Sequence, residues 1–280
     1  MQYTFTRSGD IQVAVPCELV ASVESSHQEI NIIDTDAWGR CLILDGVVNT
    51  SSKYNAAIHE SLYAVPYEVC KPTSVLILGG GDLLGAKMCL DLGLKHVSVV
   101  ELDPAVVELS LQHLHDDTGF VDDHRLEIRY ADAAQFVAEH KQRYDMIIVD
   151  MTDPQGISSA VYSSQFMANT RELVDGLLCS QCDSPETIGD SYFSLVNRYR
   201  AVFEHVRPFR VWIPPYLELF GRLLASRHEF ELPTKIGNYS WLTADLLQAM
   251  FGMFSKGEER RLSLEHEFEE QSSVRRWSIG

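Results

Sequence analysis

The sequence is poor in positive charge. Its 280 residues carry 23 Lys and Arg against 40 Asp and Glu, a formal charge of −17. Such a field repels phosphate backbones and anionic bilayers. It argues against nucleic acid or a membrane as partner and suits a cationic substrate. No stretch approaches the roughly 18 apolar residues that cross a bilayer, and the opening MQYTFTRSGD lacks the apolar core of a secretion signal. The expected location is cytoplasmic. Six cysteines lie scattered, mostly in apolar runs, and form no disulfide framework. Cys179 and Cys182 make a C-x-x-C, but no second pair completes a zinc site, so no metal is expected. Internal repeats are absent. What remains is an ordinary globular composition, 45% hydrophobic and 22% charged, long enough to bury a sizeable core.

From Val13 to about Ser52 the pattern is short, β-rich and punctuated by turns. Glu29–Asp34 alternates, and Cys41–Leu44 is closed by Asp45-Gly46. Helical spacing follows over Ala56–Tyr67 and stops before Lys71-Pro72. The chain then alternates strictly between apolar strands and helices. Strands are expected at Ser74–Leu78, Val97–Glu101, Leu126–Tyr130, Asp145–Asp150 and Leu177–Ser180, with helices between most of them. Strands apolar on both faces and separated by helices predict an α/β fold with a doubly wound, mostly parallel sheet. Arg210–Ile213 and Leu223–Ser226 are too close for a helical crossover and are expected to close the sheet as an antiparallel pair. The expected division is a small N-terminal antiparallel β-domain at 1–58, a catalytic domain at 59–254 and a charged tail at 255–280.

A strand running into Gly79-Gly80-Gly81-Asp82 and then a helix is a nucleotide-binding turn. Glycine lets the backbone pass under a ligand, and the helix start offers free N–H groups. The spacing is not G-x-G-x-x-G, which counts against an NAD-dependent dehydrogenase. Glu101 ends the next strand, where an acid accepts both ribose hydroxyls. Asp132 follows the third strand, within reach of an adenine amino group. Acids at strand ends also serve as helix caps, and Asp103 before Pro104 reads as one. Asp82 bears on the ligand's other end, because a carboxylate there repels a pyrophosphate or a methionine carboxylate and attracts an ammonium. Adenosine at one end and an amine without a carboxylate at the other describes decarboxylated S-adenosylmethionine, a co-substrate rather than a bound cofactor.

Asp150-Met151-Thr152-Asp153-Pro154 follows the fourth strand. Two carboxylates three residues apart, beside the donor, suit an amine acceptor and the proton it must lose. Asp150 otherwise caps a helix, and Asp153 otherwise belongs to an Asp-Pro turn.

The runs LDGVVN…IHE, VLILGGGD, VVELD, VDMTDP and IPPY resemble, in this order from about Ser25 to Phe251, the spermidine synthase family of polyamine aminopropyltransferases. The resemblance implies a β-domain on a methyltransferase-like Rossmann domain, and usually a homodimer. It implies transfer of an aminopropyl group from decarboxylated S-adenosylmethionine to an amine, putrescine giving spermidine in the commonest case, with release of methylthioadenosine. Gln28, His59, Asp82, Glu101, Asp132 and Ala133 fall on donor-binding positions. Asp150 falls on the proton acceptor, and Asp153 and Tyr216 fall on acceptor contacts.

The chain also departs from the family. GGGDGG reads here as Gly79-Gly80-Gly81-Asp82-Leu83-Leu84, and the tyrosine before the His/Gln-Glu pair is Ile58. The usual acidic pair nearby is Tyr54-Asn55, and Asp183 stands where Glu is common. Tyr216-Leu217-Glu218-Leu219 and Val48-Asn49 are similar to the spermine synthase branch, in which Glu218 would suit a longer acceptor; otherwise Glu218 is a surface acid. The competing readings are a spermine-type synthase, an ordinary S-adenosylmethionine-dependent methyltransferase on the same fold, and a non-catalytic subunit.

Overall fold

The computed structural model describes residues 1–7, 11–151, 162–184, 189–254, 256–258 and 277–279. Strands β1 (Gln2–Arg7) and β2 (Ile11–Pro16) pair antiparallel. Strands β3 (Glu18–Glu24), β4 (Glu29–Thr35), β5 (Gly39–Leu44) and β6 (Val47–Ser51) form a four-stranded antiparallel meander in sequence order. The β5–β6 link uses Asp45 and Gly46, both at positive φ (46° and 76°), the primed-turn geometry that matches the twist of a hairpin. The meander is apolar on both faces. Ile33, Cys41 and Ile43 pack with Tyr3 and Val15 of the hairpin, whereas Ile30, Ile32 and Leu42 pack with Val106 and Leu109 of the larger domain.

The next helix is longer than its spacing predicts and is not uniform. It runs as α1 (Asn55–His59), a π-helical turn (Glu60–Ala64) and α2 (Val65–Cys70), stopping at Lys71, whose φ is 47°, before Pro72. Beyond it lie β7 (Ser74–Gly79), α3 (Leu84–Asp91), β8 (His96–Glu101), α4 (Pro104–His113), β9 (Leu126–Tyr130), α5 (Ala133–Glu139) and β10 (Tyr144–Asp150). Then follow α6 (Ser164–Leu173), β11 (Val174–Cys182), α7 (Gly189–Val202), β12 (His205–Ile213), β13 (Glu218–Ser226) and α8 (Ala244–Gly252).

The seven-stranded sheet has the order β12-β13-β11-β10-β7-β8-β9. The five strands from β11 to β9 are parallel; β13 joins β11 antiparallel and β12 closes the edge antiparallel to β13. Alternate residues of one strand feed opposite faces. Val75 and Ile77 pack beneath Leu62, Val65 and Ala86, whereas Leu76 and Leu78 pack with Val137, Phe166 and Val196. Helices on both faces of a mostly parallel sheet make this a doubly wound, Rossmann-like α/β fold with a small N-terminal antiparallel part, as the pattern predicts. Among the described residues no helix is long and apolar enough to cross a membrane.

Strand β1, helix α6 and β14 (Trp277–Ile279) went unread in the sequence. Strand β14 pairs antiparallel with β1, so part of the charged tail returns to the N-terminal sheet.

Candidate active site

The chain reverses direction across the sheet between β7 and β10, and a cavity opens at their C-terminal ends, where open α/β sheets hold ligands. The ends must lie close. A Cβ on Gly79 (φ 84°) would stand 2.1 Å from the Asp150 carbonyl oxygen, and the Gly80 N–H donates to that same oxygen at 2.9 Å. Leu83 occupies a left-handed conformation (φ 58°) in which glycine would be unstrained; its side chain is fully buried in the core, which offsets a cost of about 1–2 kcal/mol.

Asp82 follows this turn and lines the cavity. Its Oδ1 accepts the Leu84 N–H at 3.0 Å and its Oδ2 faces His59 Nε2 at 3.1 Å. The other ring nitrogen of His59 faces the Asn55 carbonyl at 3.1 Å. Both partners of the imidazole are acceptors, so the doubly protonated ring satisfies both. Burial opposes that charge on His59, but the Asp82 charge and hydrogen bond outweigh it and raise the pKa. Burial likewise pushes Asp82 up, and the charge and hydrogen bond of His59 with the Leu84 N–H more than reverse it.

Glu101 closes β8 and is 8% exposed. Burial pushes its carboxyl up to about 7 despite the Asp103 N–H donating to Oε1 at 2.9 Å. Asp103 is the helix cap its sequence suggests, accepting the Ala105 N–H at 3.0 Å. Its Oδ2 also accepts from Ser25 Oγ at 2.6 Å and from Gln28 Nε2 at 3.2 Å, which ties the meander to the start of α4. Gln28 therefore reaches the cavity wall with its amide already fixed. Asp132 caps α5 by accepting the Gln135 N–H at 2.8 Å and also lines the cavity, so the two readings of this acid coexist. Ala133 lies beside it.

The opposite end is built around Asp150, the last residue of β10. Its Oδ2 accepts from Tyr63 Oη at 2.6 Å and its Oδ1 from Gln181 Nε2 at 2.5 Å. Burial and the nearby Asp82 raise the pKa of Asp150, against the opposing pull of His59, Tyr63 and Arg222. Neither Tyr63 nor Gln181 was singled out from sequence. Tyr63 reads as one more apolar-face residue of a helix, and it is fully buried. It stands four residues after His59, so one helix directs a side chain at each of Asp82 and Asp150. The ring of Tyr63 lies over Gly85, where a Cβ would fall 2.0 Å from Cζ.

Tyr216 lines this end, its hydroxyl donating to the Asn49 carbonyl at 2.7 Å and its ring meeting Phe220 edge-on at 5.2 Å. Ile58 lines it as well, leaving an apolar wall where the family has tyrosine. Glu218 does not line the cavity. It is 1% exposed in β13, opposite Ile213, so it is not a surface acid either. Asp153 lies outside the described residues. Among the described residues no group of three or more His, Cys, Asp or Glu is placed to hold a metal ion, and the C-x-x-C cysteines lie buried and free in β11.

The spermine/spermidine synthase domain model matches residues 55–234, and the spermidine synthase tetramerisation domain model matches residues 18–52. A polyamine aminopropyltransferase of Thermoplasma acidophilum is 32% identical over 235 residues, covering 82% of this chain and 86% of its own. One from Thermoanaerobacter sp. is 33% identical over 227 residues, covering 77% and 80%. A spermidine synthase solved in complex with the transition-state analogue AdoDATO superposes with a TM-score of 0.84 over 94% of this chain and 95% of its own, at 23% identity. The spermidine synthase of Thermotoga maritima gives 0.83 over 94% of each chain, at 22% identity. With its domain model covering most of the chain, its cavity at the strand ends and its acids in order around it, the chain belongs to the spermine/spermidine synthase family of polyamine aminopropyltransferases.

Proposed function

We propose that the protein transfers an aminopropyl group from decarboxylated S-adenosylmethionine to putrescine, giving spermidine and methylthioadenosine. The observation that carries this reading is the arrangement of Asp82, Glu101, Asp132 and Asp150 around one cavity. Glu101 would receive the ribose hydroxyls, Asp132 and Ala133 the adenine, and Asp82 with His59 and Gln28 the donor's aminopropyl end. Its ammonium would join the Asp82–His59 pair, and the incoming charge would favour release of the proton on His59.

Asp150 would take the proton of the acceptor. An alkylammonium titrates near 10.4 and has no lone pair for attack; reaching the neutral amine at pH 7 costs about 4–5 kcal/mol at 1.36 kcal/mol per unit. A raised carboxylate pKa narrows that gap. A carboxylate has about four acceptor directions, so the bonds from Tyr63 and Gln181 leave room for the attacking nitrogen. Nitrogen and donor carbon then need in-line approach at about 3–3.5 Å. Tyr216, and Asp153 by its place in sequence, would hold the acceptor.

Residues 1–58 would form the N-terminal domain and 59–254 the catalytic one. The match of residues 18–52 to a tetramerisation domain supports a homo-oligomer as the working assembly, of which a homodimer would be the smallest form. Incubation with decarboxylated S-adenosylmethionine and each of putrescine and spermidine, reading methylthioadenosine and polyamines by mass, tests the activity. Methylthioadenosine with spermidine from putrescine is expected; no transfer to any amine would refute the reading.

A further inference from the structure

Arg222 lies in the middle of β13 and is fully buried. Its Nε, Nη1 and Nη2 are all inaccessible, and among the described residues none of them has a hydrogen-bond partner. The other buried arginine, Arg210, forms an ion pair with Glu258 and lies over the ring of Phe254 at 4.4 Å. Burying an uncompensated guanidinium is expensive, because arginine does not shed its proton. Its location is therefore informative.

Register places it under the acceptor end of the cavity. Directly opposite residues of an antiparallel pair share a face, and Arg222 stands opposite Gln181, the residue that donates to Asp150. Two residues before it, on the same side of the strand, Phe220 lines the cavity and meets Tyr216. The groups in its field are Cys179, Tyr216, Asp150 and Tyr63. A fixed positive charge thus lies behind the base and the acceptor-site tyrosine.

Beyond the one ammonium that Asp153 would take, the described residues of the cavity offer little to balance further positive charge there. Of the carboxylates among the described lining residues, Asp82 is paired with His59, Glu101 and Asp132 would take the adenosine, and Asp150 is left for the acceptor; Glu218 is not among the lining residues. A diamine that has given one proton to Asp150 retains one ammonium, whereas spermidine retains two.

We propose that Arg222 is a specificity-determining residue, whose buried charge restricts the acceptor to a diamine by opposing the additional ammonium of a triamine. The proposal rests on the aminopropyltransferase reading and sharpens its acceptor class. It is tested by kcat/KM for putrescine and for spermidine in the wild type, Arg222→Met and Arg222→Lys. The wild type should favour putrescine. Arg222→Met removes the charge at similar length and should move the ratio towards spermidine by about tenfold or more; Arg222→Lys should leave it within about threefold. A general packing defect would lower both amines together, and that result in Arg222→Met overturns the proposal. A second measurement needs no variant. Spermidine should inhibit putrescine turnover by the wild type only at concentrations about tenfold or more above the putrescine KM, and tighter inhibition or preferred use of spermidine also overturns it. Methylthioadenosine release from the wild type separates the outcomes: release with an unmoved ratio defeats the role of Arg222 alone, and no release with any amine defeats the function on which it depends.

Discussion

The two ends of the cavity are built differently. At the proposed donor end each acid sits where a strand stops or a helix begins: Asp82 three residues past β7, Glu101 at the end of β8, Asp132 at the cap of α5. Each accepts from an N–H two or three residues away, those of Leu84, Asp103 and Gln135, and His59 is the one distant partner among these contacts. At the acceptor end Asp150 takes its hydrogen bonds from Tyr63 and Gln181, 87 and 31 residues distant. A site made of local turns is specified by short motifs. A site made by packing a helix and two strands is specified by register, and register can change while the motifs survive.

Breaking the acceptor end at its centre should have the largest effect. Asp150→Asn keeps the shape of the side chain and removes the proposed proton acceptor, so turnover should fall by about a hundredfold or more, the usual scale for loss of a general base. Affinity for methylthioadenosine, measured by calorimetry, should change little, because that ligand would occupy the other end. Near-normal turnover would remove Asp150 from the role and erase the contrast between the two ends.

The same contrast explains what sequence showed and what it did not. Continuous apolar strands such as Ser74–Gly79 are legible because both faces are covered and the run between the ends, Val75–Leu78, is wholly apolar. The glycine turn, Glu101, Asp132 and the Asp103 cap are legible because their partners are adjacent in the chain. Helix α6 went unread because its buried face includes Thr170, whose hydroxyl donates back to the Phe166 carbonyl at 2.9 Å and needs no apolar spacing. Tyr63 was hidden because core tyrosines and site tyrosines look alike until the helix is packed, and here a π turn carries the residue. Glu218 differs from expectation, and Arg222 was not singled out, for a related reason. Only Leu223–Ser226 of β13 reads as a strand in the sequence, and which residues met Gln181 depended on a pairing that sequence did not reveal.

Exchanging Asp82 for Asn should have the next largest effect and acts at the donor end. Loss of a charge-assisted contact of about 1.5–3 kcal/mol should cut the preference for the decarboxylated donor over S-adenosylmethionine by roughly ten- to a hundredfold. Calorimetry with both donors decides it; equal affinities in the wild type would revive a methyltransferase.

A smaller effect is expected from Tyr63→Phe, which keeps the ring over Gly85 and removes only the hydroxyl. Turnover should fall by about tenfold, at the lower end of a hydrogen bond to a charged group. The groups facing Asp150 are then Asp82, His59, Gln181 and Arg222, and the loss of a donor raises the Asp150 pKa further. The acid limb of the rate profile should therefore move to higher pH. A fall in turnover with an unmoved limb would make Tyr63 a packing residue only.

The smallest effect concerns Glu101 and needs only a change of pH. Its carboxyl titrates near 7 in the folded protein, above its ordinary 4.5, because burial disfavours the charge and Asp103 and Asp150 add to the field. The protonated form is thus favoured by folding below about pH 4.5, and that contribution is lost as pH rises through 7. In the proposed site ligand binding would run the opposite way, because ribose hydroxyls would donate to the ionised carboxylate. Affinity for methylthioadenosine should rise by about fivefold between pH 6 and 7, approach a tenfold gain by about pH 8 and level off above, with uptake of the ligand at pH 6 releasing a proton to the buffer. Methylthioadenosine carries no ammonium, so the His59–Asp82 pair is left out of the measurement. Calorimetry in two buffers of different ionisation enthalpy reads the proton, and Glu101→Gln should weaken binding and flatten the profile. A wild-type affinity independent of pH from 6 to 8 would take the ribose away from Glu101 and leave the donor end without its central contact.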